Sequence, residues 1–228
     1  TIVPVRPDPE GGIEVLMTRR RPEMQFLGGF LVFPGGGVEN EDCSEKMLSL
    51  CRGLTRSDAQ KILGADIGPE ISLGHWVAAV RELFEETGIH FFIDENGLAP
   101  DGFTGDLAER LGEKRQALSN GTLDLPRLLE SEGLFCDLGR FTYLFHRITP
   151  EKYPVRFDTR FYLAVLPPSQ TALDSSEEVS ESLWLTPKIA LEESASSGFP
   201  MLPPTIITLR TLAEHGTWQN LSTAFRLG

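Results

Sequence analysis

Three carboxylates crowd into the segment Arg81-Glu82-Leu83-Phe84-Glu85-Glu86-Thr87-Gly88-Ile89. Wound as a helix at about 100° per residue, it places Glu82, Glu85 and Glu86 on one arc roughly 100° wide. Arg81 falls at the edge of that arc. Trp76, Val80, Leu83 and Thr87 gather on the other side, with Val77 and Phe84 beside them. No Lys or Arg follows one turn later to relieve the charge. Three like charges this close ionise together cheaply only when a cation sits among them. Mg²⁺ or Mn²⁺, hard ions that prefer oxygen donors, suit such a stripe. Ions of that kind hold a diphosphate, polarise its phosphorus and lower the pKa of an attacking water. Arg81 is placed to orient a glutamate through a charge-assisted hydrogen bond. A merely solvated acidic face on an amphipathic helix is the alternative reading of the same residues.

A helix that carries such a stripe has to be fixed in place by its neighbours. Its apolar face predicts a helix from about Leu73 to Thr87, with Gly88 as a left-handed C-terminal cap. Upstream, Phe30-Leu31-Val32-Phe33 has the composition of a short buried strand, and Pro34-Gly35-Gly36-Gly37 ends it. Acidic Glu39, Glu41 and Asp42 follow. Residues 42 to about 71 read as helical, with breaks at Gly53 and Gly64, and 104–119 and 125–132 suggest two more helices around Asn120-Gly121. Strands are expected at Ile13–Met17, Phe141–Phe145, Phe157–Leu166 and Leu183–Leu185, and a final helix from about Pro204 to Glu214. Helices and strands without a regular alternation indicate an α/β or α+β domain.

Gly36 followed by Arg81-Glu82-Leu83-x-Glu85-Glu86-x-Gly88-Ile89 resembles the signature of the Nudix hydrolases, G-x5-E-x7-R-E-U-x-E-E-x-G-U with U aliphatic. The second half agrees at every constrained position. The first half departs from it: Asp42 stands where the family has Glu, and about 31 extra residues separate it from Arg81. A split box of this kind resembles a Nudix subgroup with a helical insertion that includes coenzyme A diphosphatases. Val32-Phe33-Pro34-Gly35-Gly36, Arg156-Phe157-Asp158-Thr159-Arg160-Phe161-Tyr162-Leu163-Ala164 and Trp184-Leu185-Thr186-Pro187 carry the same likeness. The resemblance implies a Nudix-type α/β/α sandwich around a mixed sheet. It implies one domain over 1–228, with helical insertions at about 43–72 and about 104–133.

By the same resemblance Glu82, Glu85, Glu86 and the Gly36 carbonyl would hold Mg²⁺ or Mn²⁺, supported by Arg81. Catalytic roles fall to Arg81, Glu82 and Glu85, with Glu178 in the acidic, Ser-rich stretch before Trp184 as the candidate general base. Glu82 or Glu85 stands as an alternative base. The role of Asp42 stays open. Arg19, Arg20, Arg156 and Arg160 are the candidate contacts to an anionic substrate. Leu16-Met17-Thr18-Arg19-Arg20, Gly29 and Phe33-Pro34-Gly35-Gly36 agree in part with an upstream coenzyme A diphosphatase motif, from which Arg21 and Gln25 depart. The expected substrate is a nucleoside diphosphate linked to a second moiety, such as coenzyme A or acyl-coenzyme A. ADP-ribose or a nucleotide sugar is an alternative, as is a catalytically silent nucleotide-sensing domain. The resemblance also allows a homodimer.

Composition narrows the field further. With 228 residues, 40% hydrophobic and 24% charged, the chain is long enough for one well-buried domain and too apolar for wholesale disorder. Its 33 acidic against 21 basic side chains leave a net charge of −12, which disfavours nucleic-acid or anionic-membrane partners. No apolar run reaches the roughly 18–20 residues of a spanning helix. Three cysteines without a CxxC pair suit a reducing, cytoplasmic setting. Thr1 in first position suggests that the native start lies upstream. The scattered His75, His90, His146 and His215 are expected at the surface or at caps, and Trp76 and Trp184 in the core.

Overall fold

The computed structural model describes residues 1–99, 105–152, 155–196 and 199–227. The chain divides into two compact units. The first comprises Thr1–Pro34, Thr142–Leu166 and Leu173–Gly228, and the second Gly35–Phe141 and Pro167–Ala172.

In the first unit, β1 (Ile2–Pro7), β2 (Ile13–Arg20) and β3 (Leu31–Val32) come first. The second unit follows with α1 (Glu45–Ser49), β4 (Cys51–Arg52), α2 (Arg56–Leu63), α3 (Pro69–Thr87) and β5 (Phe92–Ile93). It continues through α4 (Asp106–Ser119), α5 (Leu125–Glu132) and β6 (Phe135–Asp137). The chain then adds β7 (Phe141–Ile148), β8 (Asp158–Val165), β9 (Val179–Leu185), α6 (Pro187–Ala195), α7 (Pro203–His215) and α8 (Trp218–Phe225).

The first unit is built on a mixed sheet in the order β3-β2-β1-β8-β7, with β9 also pairing with β2. The β1–β8 pair is parallel, Ile2 opposite Tyr162 and Val5 opposite Val165, while β1–β2, β2–β3 and β2–β9 are antiparallel. Strand residues two apart share a face. Val3 and Val5, Val15 and Met17, and Phe161 and Leu163 accordingly join one apolar core with Ala190 of α6, Leu209 and Leu212 of α7, and Leu221 of α8. The alternate set, Ile2, Leu16, Tyr162 and Ala164, is equally buried, so the middle strands have no wet face.

In the second unit α3 packs against α1, α2 and α4. Its first turn begins at Pro69, four residues before the expected start, because Pro at N1 has the helical φ already set and lacks only an N–H that the helix leaves unpaired anyway. Residues 69–72 of the expected insertion are therefore the opening of α3. Gly88 closes the helix as expected, at φ 74°. The rest of the insertion forms α1 and α2, with residues 53–55 and 64–68 non-helical, and its Cys51–Arg52 pairs in parallel with β6 in a small sheet of order β4-β6-β5. The 104–133 segment forms α4 and α5, and its residue 104 lies outside the described residues.

Two helices, α6 and α8, stand where none was expected. Trp76 is core, whereas Trp184 is only partly buried under the guanidinium of Arg6. His90 departs from expectation: it is 1% exposed, stacked on Phe92 with the edge of Phe84 nearby. Its position after the Gly88 cap returns the chain into the apolar interior of the unit.

Candidate active site

The last turns of α3 carry the acidic stripe, and one side chain organises it. Arg81 is 5% exposed, and its guanidinium lies within reach of four carboxylates and a backbone carbonyl. Nε and Nη2 donate to the two oxygens of Asp42, each at 3.0 Å. Nη2 also donates to the Gly37 carbonyl at 2.8 Å. Nη1 donates to Glu82 at 2.9 Å and to Glu85 at 3.3 Å, with Glu39 at 3.7 Å. The planar fork of an arginine suits this arrangement, since each carboxylate approaches along a separate N–H direction. Burial disfavours the charged guanidinium, but the hydrogen bonds and charge of Asp42, with Glu82 and Glu85 behind them, outweigh it and raise its pKa.

The glycine turn meets the same stripe from the other side. The Gly35 N–H donates to Glu86 Oε2 at 3.1 Å. At Gly36 a Cβ would stand 2.3–2.6 Å from the Glu82 carboxylate atoms, so only a bare backbone lets that carboxylate lie there. Glu86 is buried, and the side chains of Glu82 and Glu85 keep 16% and 18% of their exposure. Glu85 is pushed up to about 7, first by burial and then by the charge of Glu82, with Arg81 working against both. Asp42 is 2% exposed and accepts the Glu39 N–H at 2.8 Å, which locks its short 3-10 turn, Glu41–Cys43, beside Arg81. From α4, Arg115 donates to the Glu85 carbonyl at 2.7 Å.

The chemistry of these donors suits a hard divalent ion: anionic oxygens gathered on one helix, with a backbone turn pressed against them. Among the described residues, no group of three or more His, Cys, Asp or Glu is already gathered around a single point that could hold a metal. Arg81 Nη1 lies between Glu82 and Glu85 and meets part of their charge itself.

The other expected site residues belong to the first unit. Arg20 pairs with Glu178 at 3.2 Å, on opposite sides of the β2–β9 ladder's end, and Arg19 pairs with Glu181 at 3.0 Å. Arg156 donates Nε to the Thr149 carbonyl at 2.9 Å. Arg160, 8% exposed, is tied to Asp158 at 2.7 Å, and that carboxylate also meets His146. The structure thus brings Arg81, Glu82, Glu85, Glu86 and Gly36 together in one unit, and Arg20 with Glu178 in the other. Sequence reasoning did not find the Asp42–Arg81 grip or the Arg115 contact. Both join segments far apart in the chain, and no local pattern announces either.

The family model described as NUDT19 Nudix domain matches residues 4–212. The acyl-coenzyme A diphosphatase NUDT19 of Xenopus laevis is 25% identical over 230 residues, 88% of this chain and 60% of that protein. Its Gallus gallus counterpart is 27% identical over 242 residues, 91% of this chain and 63% of that protein. The chain therefore spans about three fifths of the length of these relatives. The crystal structure of a NUDIX hydrolase from Alicyclobacillus acidocaldarius has 28% identity and a TM-score of 0.76, covering 100% of this chain and 96% of that one. The α+β fold on a mixed sheet is the Nudix hydrolase fold. With the family model spanning nearly its whole length, the chain belongs to the NUDT19 Nudix domain family of Nudix hydrolases.

Proposed function

We propose that this chain is a Mg²⁺- or Mn²⁺-dependent diphosphatase that hydrolyses the pyrophosphate bond of a nucleoside diphosphate joined to a second moiety, with coenzyme A or an acyl-coenzyme A as the substrate. The observation that carries the reading is the set of α3 carboxylates ordered by buried Arg81 against the Gly35-Gly36 turn. The names of the NUDT19 relatives support the acyl-coenzyme A choice. Nudix hydrolases generally use divalent metal ions.

In this reading Glu82, Glu85, Glu86 and the Gly36 carbonyl hold the metal, and the ion, when bound, polarises the phosphorus and acidifies water. Arg81 positions Glu82 and Glu85 by direct hydrogen bonds. Glu178, its side chain 56% exposed and anchored by Arg20, is the proposed proton acceptor from the attacking water. Arg19, Arg20, Arg156 and Arg160 are the proposed anion contacts. The chain acts as one Nudix domain, including its helical insertions, on a small molecule and not on nucleic acid or membrane. The net charge of −12 supports that choice of partners. Among the described residues no helix is long and apolar enough to cross a membrane. A cytoplasmic homodimer completes the proposal, with three free cysteines consistent with a reducing setting.

The test is an assay with Mg²⁺ or Mn²⁺ against coenzyme A, an acyl-coenzyme A, ADP-ribose and a nucleotide sugar. Glu85→Gln should lower kcat about a thousandfold with the fold intact, and Glu178→Gln about a hundredfold. Turnover of none of the four by the wild type would overturn the reading. A Glu85→Gln enzyme with wild-type kcat would remove Glu85 from the mechanism.

A further inference from the structure

The loop joining β2 to β3 in the first unit has an unusual backbone and ends in an exposed ring. Leu27 sits at φ 53°, a left-handed conformation uncommon for a residue with a side chain. A Cβ on Gly28 would come within 2.5 Å of the Pro22 carbonyl oxygen and 2.7 Å of that of Met24, so the chain folds tightly over itself. Paired backbone bonds between Arg20 and Gly29 and between Arg20 and Phe30, both 3.0 Å, close the loop. This geometry presents Phe26 at 42% exposure. Its ring meets that of Phe157, which is 41% exposed, at a centroid distance of 4.9 Å and a tilt of 37°.

Phe157 is held as firmly. Its N–H donates to Thr149 Oγ1 at 3.0 Å, and its carbonyl accepts the Thr149 N–H at 2.9 Å. Two arginines are anchored to the backbone of the same loops, and Arg20 Nη2 also pairs with Glu178 at 3.2 Å. Arg20 Nε donates to the Phe26 carbonyl at 3.3 Å, and exposed Arg156 Nε donates to the Thr149 carbonyl at 2.9 Å. Two half-exposed aromatic rings from separate loops, with arginines bonded to the backbone of those loops on an otherwise acidic protein, match one chemistry. A planar base stacks on a ring, and a guanidinium meets a phosphate. An acyl chain would need the rings and not the cations.

We propose that Phe26, Phe157, Arg20 and Arg156 form a nucleotide subsite that stacks the base of the substrate and contacts a phosphate of the same nucleotide. The assignment rests on the nucleotide substrate proposed above, which it extends to the group that recognises the base. None of the four residues belongs to the metal-holding set Glu82, Glu85 and Glu86, although Arg20 also pairs with Glu178, so binding is read without turnover in Glu85→Gln protein. ADP and inorganic pyrophosphate serve as probes, titrated calorimetrically in Mg²⁺ into Glu85→Gln protein with and without Phe26→Ala or Phe157→Ala. ADP affinity should fall about tenfold or more in each alanine variant while pyrophosphate affinity stays within about twofold. The tyrosine substitutions Phe26→Tyr and Phe157→Tyr should retain ADP affinity, and unchanged pyrophosphate binding reports a folded protein. Three results would overturn the subsite: no saturable ADP binding before the ring substitutions, equal losses for ADP and pyrophosphate, or unchanged ADP affinity in the alanine variants. Failure of the diphosphatase reading shows separately, as absent hydrolysis by the wild type.

Discussion

The guanidinium of Arg81 joins four residues of the second unit, and the match with Asp42 decides whether that is stable. A buried ion pair gains little over an apolar replacement, yet removing one partner leaves a desolvated charge and is costly. Asp42 supplies both oxygens to Arg81 from a site only 2% exposed. Its shorter reach compared with glutamate fits because the 3-10 turn at Glu41–Cys43 brings the backbone close to α3. Asp42→Asn preserves shape and removes the charge. Urea unfolding should show a loss of about 2–3 kcal/mol, moderated because Glu82 and Glu85 still face Arg81. The kcat of the folded variant should fall at least about tenfold, since Arg81 would pull differently on both glutamates. A variant equal to wild type in stability and kcat would reduce the pair to a surface detail. The acidic stripe itself was legible in the sequence because its residues lie within two helical turns. The partner of Arg81 was not, because Asp42 is 39 residues away and only the tertiary fold brings it back.

At the scale of elements, α3 was the most legible part of the chain, since an apolar face opposite an acidic one survives small errors in its ends. The strands β4, β5 and β6 have two or three residues each, too few for any period to show. The helices α6 and α8 did carry start signals, Thr186 accepting the Ile189 N–H and Thr217 that of Asn220, but their short apolar faces read as loop without α7 and the sheet to pack on. The pairing of β9 with β2 joins residues 159 to 170 apart, which no local pattern encodes. One glycine tests how tightly α3 is docked. Gly74 lies inside the helix, where alanine ordinarily gains about 1 kcal/mol. Here its Cβ would stand 2.3 Å from the sulfur of Cys43, next to Asp42. Gly74→Ala should therefore destabilise the protein by about 1–3 kcal/mol. Cys43→Ala in the same chain should recover most of that loss, because the Cys43 Cβ is already at an ordinary 3.5 Å. Additive effects in this double-mutant cycle would show that helix and turn are not in contact as described.

At the scale of the whole molecule, one buried imidazole makes stability depend on pH. Burial lowers the pKa of His90 to about 3 from its ordinary 6.5. Its Nδ1 accepts the Phe92 N–H at 3.2 Å, and the His90 backbone is bracketed by the Gln170 side chain, which accepts its N–H at 2.9 Å and donates to its carbonyl at 2.8 Å. The folded ring is therefore held neutral, while the unfolded ring takes up a proton near pH 6.5. Between those two values the unfolded state binds more protons, so stability falls as pH falls. The contribution is fully present above pH 6.5 and diminishes toward pH 3. It amounts to about 2 kcal/mol between pH 7 and pH 5. Many carboxylates titrate below that range, so the comparison has to be made against a variant that differs only at this position. His90→Asn retains a hydrogen-bond acceptor and cannot titrate. Its stability is expected to be lower at pH 7, where the smaller side chain leaves the Phe84–Phe92 cluster underpacked. The gap between the two proteins should then narrow by about 2 kcal/mol from pH 7 to pH 5, as measured by urea denaturation at each pH. A gap constant across that range would mean that the His90 ring is hydrated or paired with an acid in solution, and that the interior around Phe84 and Phe92 is open to water.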